Sequence, residues 1–211
     1  LTASTDLLIP HVAVEALTAL GASDAALSAL TSDKTTPAVE KGALRVLQEI
    51  HNTPTVNGLI DAVSKTKSAE RRADMLQALA RLYYREGVWR GTLAEWWGTR
   101  PDTTGPYYDP VAWEESPRIL SVLRAAVVAT TTDAEPAQLM RDLERNRVLP
   151  PGAGDVVGGL KQSRDAALPD VADALLGTMR LDVDAKRGAL FELLVRGRPA
   201  YRAPIVKMLA G

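Results

Sequence analysis

A proline-opened helix, a short break and a return helix recur through residues 1–85, and this pattern constrains the fold more than any other feature. Pro10 begins a stretch whose apolar positions include Val14, Leu17 and Leu20, and Gly21 is placed to end it as a C′ glycine. Ser23 or Asp24 is then placed to cap a shorter helix carrying Ala26, Leu27 and Leu30. Thr35-Thr36-Pro37 opens the next unit with proline in the first turn, where its missing N–H is not needed. Val39, Ala43, Leu44, Leu47 and Ile50 follow as a helical stripe. Asn52-Thr53-Pro54 breaks the chain, and Val56, Leu59, Ile60 and Val63 form the return helix. A longer helix is expected over Ser68 to Arg85, with Met75, Leu76, Leu79, Ala80 and Leu82 on its apolar side.

Leu17 and Leu44 occupy like positions in successive units, and Leu76 or Leu79 repeats the role. One such hairpin is too thin to bury its own apolar face, so neighbours must stack. The stretch from Pro10 to Leu17 resembles the first helix of HEAT repeats. The expectation is therefore an all-α chain, a HEAT-like α-solenoid, with a compact helical bundle as its rival. Helices resume at Ser116-Pro117, with Ile119, Leu120, Leu123, Ala126 and Val127, and at Glu135-Pro136, with Leu139, Met140 and Leu143. Pro150-Pro151-Gly152-Ala153-Gly154 is a break, and shorter helical stretches follow around 156–160, 171–179, 185–195 and 204–209. Strand patterns of useful length are absent. The segments expected are helix pairs over 1–85, an insertion over 86–115 and further helical repeats over 116–211.

The insertion is marked by its aromatic residues. All four tryptophans and four of the five tyrosines fall between Tyr83 and Trp113, none precedes Tyr83, and only Phe191 and Tyr201 follow. Gly98-Thr99-Arg100-Pro101-Asp102-Thr103-Thr104-Gly105-Pro106 is turn chemistry throughout. A loop of this length is commonly functional or disordered, and its ring content argues for order. Three uses of the rings stay open. They can form a local core over the helices, since Trp and Tyr bury large areas. They can stack on a sugar while Arg100, Asp102, Thr103 and Asp109 read its hydroxyls. They can grip a protein partner, as Trp, Tyr and Arg do at interface hot spots. The candidate contact residues are Trp89, Trp96, Trp97, Arg100, Asp102, Tyr107, Tyr108 and Trp113.

Bulk properties exclude several function classes. Basic and acidic residues number 25 and 26, for a net charge of −1, so the field that phosphate neutralisation requires is missing and no nucleic-acid partner is expected. The chain has 0 cysteines, which removes disulfides, thiolate metal sites, cysteine nucleophiles and covalent haem attachment. Apolar stretches are broken by charges well short of the ~20 residues that cross a bilayer, so no membrane span is expected. The start, Leu1-Thr2-Ala3-Ser4-Thr5-Asp6, lacks a signal sequence and fits the mature part of an exported protein or a piece of a longer one.

Catalysis has few candidates. His11 lies in a first helical turn and His51 at a helix end, where a partial positive charge is tolerated; both read as structural. No Gly-x-Ser-x-Gly elbow accompanies them. Glu86, Glu95, Asp102, Asp109, Glu114 and Glu115 surround the insertion, and a facing pair of them is the arrangement a glycoside hydrolase uses. Asp102 and Asp109 carry oxygen ligands suited to calcium without EF-hand spacing, so no metal or cofactor is expected. Gly152-Ala153-Gly154 and Gly158-Gly159 lack the lysine and the preceding strand of a phosphate loop.

Arg81-Leu82-Tyr83-Tyr84-Arg85-Glu86-Gly87-Val88-Trp89, then Trp96-Trp97-Gly98-Thr99-Arg100-Pro101-Asp102-Thr103-Thr104-Gly105-Pro106-Tyr107-Tyr108 and Pro110-Val111-Ala112-Trp113, resembles the HEAT-repeat region of large planctomycete-type proteins. Those proteins are labelled membrane-bound dehydrogenase-like or haem-binding. They combine a β-propeller, a helical section and a c-type cytochrome domain. The resemblance implies an exported or periplasmic bacterial multidomain redox protein, with this chain as its helical scaffold and neighbouring domains or a protein as partners. No Cys-x-x-Cys-His occurs, so dehydrogenation or electron transfer would belong to other domains. The expectation is thus a non-catalytic interaction module docking through the insertion. A carbohydrate-binding module is the alternative, and a glycoside hydrolase a further one.

Overall fold

The structure is a computed structural model that describes residues 1–6, 8–32, 34–88, 90–91, 107, 109–129, 134–148 and 195. Within the described residues the chain is mostly helical. The elements are α1 (Ile9–Ala19), α2 (Ser23–Thr31), α3 (Pro37–Leu47), α4 (Thr53–Lys65), α5 (Ala69–Arg81), β1 (Tyr84–Glu86), β2 (Pro110–Ala112), α6 (Ser116–Ala129) and α7 (Ala134–Arg145). The helical stretches expected beyond Pro150 lie outside the described residues. The chain divides into two compact units, Leu1–Pro101 with Tyr107–Ile119, and Asp102–Pro106 with Leu120–Gly211, so the division falls within α6.

The helix ends are set by local chemistry. Gly21 has φ +61°, and its N–H and that of Ala22 return to the carbonyls of Thr18 and Leu17 at 2.9 and 3.0 Å. This is the paired closure that a left-handed C′ residue permits, and it stops α1 where the sequence places the stop. The expected cap of α2 differs: the helix starts at Ser23 itself, whose Oγ donates back to Gly21 O at 3.5 Å, and Asp24 sits in the first turn. Thr36 caps α3 by accepting from Val39 N–H at 3.4 Å, with Pro37 behind it. Asn52 caps α4 through Thr55 N–H at 2.8 Å, and Ser68 caps α5 through Arg71 N–H at 3.3 Å. Each such bond satisfies an N–H that the helix itself leaves open.

In the first unit, α1 packs on α3 and α3 on α5, while α2 packs on α4; contacts of α2 with α3 and of α4 with α5 join the two sets. Val46, Leu47, Val56, Leu59, Leu79 and Leu82 are fully enclosed. Each buried leucine contributes about 1.5–3 kcal/mol relative to an exposed one. Leu27 of α2 lies against Gly58 of α4, where a larger residue would collide with it. Arg71 of α5 grips Glu40 of α3 with two nitrogens, and Arg81 reaches Glu49 at 3.4 Å. Such part-exposed pairs contribute at most about 1 kcal/mol each, so the apolar seam holds these helices. Helix α5 ends at Arg81, short of the expected Arg85, because Tyr84–Glu86 turns to pair with Pro110–Ala112.

In the second unit, Leu123, Ala126, Leu139, Met140 and Leu143 are buried. Helix α7 closes as α1 does: Arg147 N–H bonds Glu144 O at 2.9 Å and Val148 N–H bonds Leu143 O at 2.8 Å. Here the left-handed position is filled by Arg147, at φ 61°, and a Cβ makes that conformation unfavourable. Gly21→Ala is therefore expected to lower stability by about 1 kcal/mol, whereas Arg147→Gly raises it by up to about 1 kcal/mol. Urea denaturation followed by circular dichroism checks both signs.

Candidate functional site

Residues 84–86 and 110–112, at the two ends of the expected insertion, pair as a narrow ribbon. β1 and β2 are antiparallel in the register Tyr84↔Ala112, Arg85↔Val111 and Glu86↔Pro110. Gly87 N–H donates to Asp109 O at 2.6 Å and carries the ladder one step further. Counting back from that bonded pair, Glu86 and Pro110 form a non-hydrogen-bonded pair, where proline's missing N–H costs the ladder nothing. Glu86 Oε1 accepts from Asp109 N–H at 2.8 Å. A Cβ on Gly87 would lie 2.5 Å from Asp109 Oδ2 and 2.8 Å from its carbonyl oxygen, so the approach of the two strands requires glycine.

Four successive carbonyls run from the last residue of α5, Arg81, through Leu82 and Tyr83 to Tyr84 at the start of β1. Each accepts from a side chain supplied by another segment. Tyr107 Oη donates to Arg81 O at 3.2 Å, and Trp113 Nε1–H to Leu82 O at 2.8 Å. Ser116 Oγ donates to Tyr83 O at 2.6 Å, and His51 Nε2 lies 2.8 Å from Tyr84 O. A carbonyl only accepts, so Nε2 carries the imidazole proton. Tyr107 Oη is also 3.1 Å from Nε2, and with its own hydrogen on Arg81 O it offers that N–H a lone pair. Ser116 Oγ in turn accepts from Trp113 N–H at 2.8 Å.

The rings pack as tightly as the polar groups bond. The His51 ring meets those of Tyr107 and Trp113 edge-to-face, with centroids 6.0 and 5.5 Å apart. The Arg81 guanidinium lies 3.8 Å from the centre of the Tyr107 ring, a cation–π contact, while its Nη2 faces Glu49. Burial pushes the Tyr107 hydroxyl well above its ordinary range, against the pull of Arg81, and keeps it protonated. Burial likewise pushes His51 below its ordinary value; the carbonyls of Tyr84 and Glu49 oppose the shift and the Arg81 cation adds to it.

Two of the candidate contact residues thus occupy a local core. Tyr107 and Trp113 are 6% and 8% exposed, with their polar atoms committed to the end of α5. They tie the segments on either side of β2 to the carbonyls of Arg81 and Leu82. Trp89, Trp96, Trp97, Arg100, Asp102 and Tyr108 lie outside the described residues. Of the carboxylates, Glu86 holds Asp109 N–H, Glu115 is buried and paired with Arg118 at 3.1 Å, Glu114 is exposed, and Glu95 lies outside the described residues. No group of three or more metal-ligating side chains occurs among the described residues. His51 and Arg81 were legible only as a helix-end histidine and a helix arginine, because their partners are remote in sequence. Searches against protein-family models, curated proteins and solved structures find no match to this chain.

Trp113→Phe keeps the ring but leaves Leu82 O buried and unpaired. It is expected to lower stability by about 1–3 kcal/mol, read as a shift in the urea midpoint at unchanged slope.

Proposed function

We propose that the chain is a non-catalytic helical-repeat scaffold that presents the loop between Gly87 and Asp109 as a docking element for a protein or for neighbouring domains of the same polypeptide. The observation that carries this reading is the clasp between the end of α5 and β1: side chains of His51 in the turn after α3, Tyr107, Trp113 and Ser116 of α6 converge on four successive carbonyls. A root held at this many points fixes where the loop starts and ends, so binding loses less conformational entropy there. The succession of α1 on α3 on α5, with α2 on α4, supports a two-layered HEAT-like solenoid as the scaffold. The likeness of residues 81–113 to the helical section of exported redox proteins is the ground for placing the chain in a periplasmic or secreted multidomain context.

The test removes the loop and spares its root. Residues 88–106 are replaced by a Gly/Ser linker of about six residues, reaching from Gly87 to Tyr107. The expected outcome is an unchanged helical circular dichroism spectrum and loss of protein capture by the immobilised chain, with Trp96→Ala as a second variant. Capture unaffected by either change overturns the docking role. Retention on insoluble polysaccharide that is abolished by Trp96→Ala identifies carbohydrate as the ligand instead.

A further inference from the structure

We infer that the outward face of α1 is a self-pairing surface: two copies of the chain associate by packing their α1 helices antiparallel along the stripe formed by Ile9, Val12, Ala16 and Leu20.

Helix α1 carries apolar residues on two sides. Ala13 is buried and Val14 and Leu17 are half-buried, and the helix packs on α3. A second stripe at helical spacing, Ile9, Val12, Ala16 and Ala19, is continued by Leu20 just past the helix end and faces solvent. Ile9 is 42%, Val12 62% and Leu20 80% exposed, and Leu8 beside them 71%. No charged residue interrupts the stripe, and its polar border is His11 and Glu15, one turn apart. A helix with apolar residues on opposite sides belongs in an interior, with a neighbour on each.

Helix α3 shows such a stripe when it is covered. With Pro10 laid on Pro37 and Leu17 on Leu44, Ala16, Ala19 and Leu20 fall on Ala43, Val46 and Leu47, which are 6%, 0% and 0% exposed. Helix α3 is packed by α1, α2 and α5, whereas α3 is the one extensive neighbour of α1 among the described helices. What α1 lacks is a helix lying on it as α2 lies on α3.

The stripe is complementary to itself. In a two-fold pair each contact occurs twice, because residue i of one copy meets j of the other and j meets i. The antiparallel register that sets Val12 over Ala16 of the second copy also sets Leu8 over its Ala19 and Ile9 beside its Leu20. Larger side chains thus enter the gaps that alanines leave. The same register brings the Glu15 carboxylate next to the second copy's His11, whose ring N–H can donate to it. A net charge of −1 leaves little repulsion between copies. The 11 residues of α1 make a seam about 16 Å long, which at a helix spacing of about 10 Å buries less than the ~800 Å² a side of a stable interface. The dimer is therefore reversible and fills as concentration rises.

Sedimentation velocity on the full chain, from about 5 to about 500 μM, tests this. The sedimentation coefficient is expected to climb toward that of a dimer. Val12→Glu is expected to weaken association at least about tenfold with an unchanged circular dichroism spectrum, because it buries a charge in the seam. Val111→Glu, at an exposed valine of β2, is expected to leave it unaltered. Should Val12→Glu unfold, a cross-link decides: the chain has 0 cysteines, so Val12→Cys combined with Ala16→Cys is expected to yield a covalent dimer on oxidation. Residues one turn apart on a helix are too far from each other to bridge internally. A chain monomeric at every concentration, a dimer indifferent to Val12→Glu or equally weakened by Val111→Glu, or no covalent dimer overturns self-pairing. A monomeric chain that binds a synthetic peptide of residues 22–32, the sequence of α2, also overturns it and assigns the face to another helical hairpin.

Discussion

The passage from the end of α5 into β1 is the constraint on which the ribbon depends. A helix that stops inside a protein leaves carbonyls that must find donors, since burying one without a partner costs about 1–3 kcal/mol. Here the donors come from His51, Tyr107, Trp113 and Ser116, which reach Tyr84, Arg81, Leu82 and Tyr83 in turn. The same bonds that satisfy the helix end fix the turn after α3, both limbs of the ribbon and the start of α6. Loss of one donor therefore exposes a group that the remaining donors are too committed to cover.

Elsewhere the helices are ended economically. Gly21 closes α1 by its left-handed conformation and Asn52 opens α4 with a single side-chain acceptor. The contrast with α5 is physical: an exposed helix end can use water, whereas α5 terminates under aromatic rings. Arg81 fits the same logic, because its guanidinium covers the Tyr107 ring and reaches Glu49, screening the clasp on one side.

How much of this was legible in the sequence depends on the range of the interaction. The starts at Pro37 and Asn52, the stop at Gly21 and the buried stripes of α3, α4 and α5 follow from residues within a few positions of one another, and they were legible. The ribbon was not. Tyr84-Arg85-Glu86 continues a helical pattern, and only pairing with Pro110-Val111-Ala112 turns it extended. The left-handed Arg147 was equally hidden, since no glycine marks it. The cluster of rings was visible as composition, but whether a given ring faces inward depends on where its polar atom finds an acceptor. For Tyr107 and Trp113 that acceptor is a carbonyl more than a full helix away in sequence.

Pro110 has a consequence that reaches outside the molecule. A two-stranded ribbon exposes edges, and an exposed edge recruits further strands from other chains. On β2 the positions whose backbone points away from β1 are those of Pro110 and Ala112, and proline has no hydrogen to give. On β1 the outward carbonyl of Tyr84 is already taken by His51. Both edges of the ribbon are thereby blunted, so it is poorly suited to seed intermolecular sheet growth.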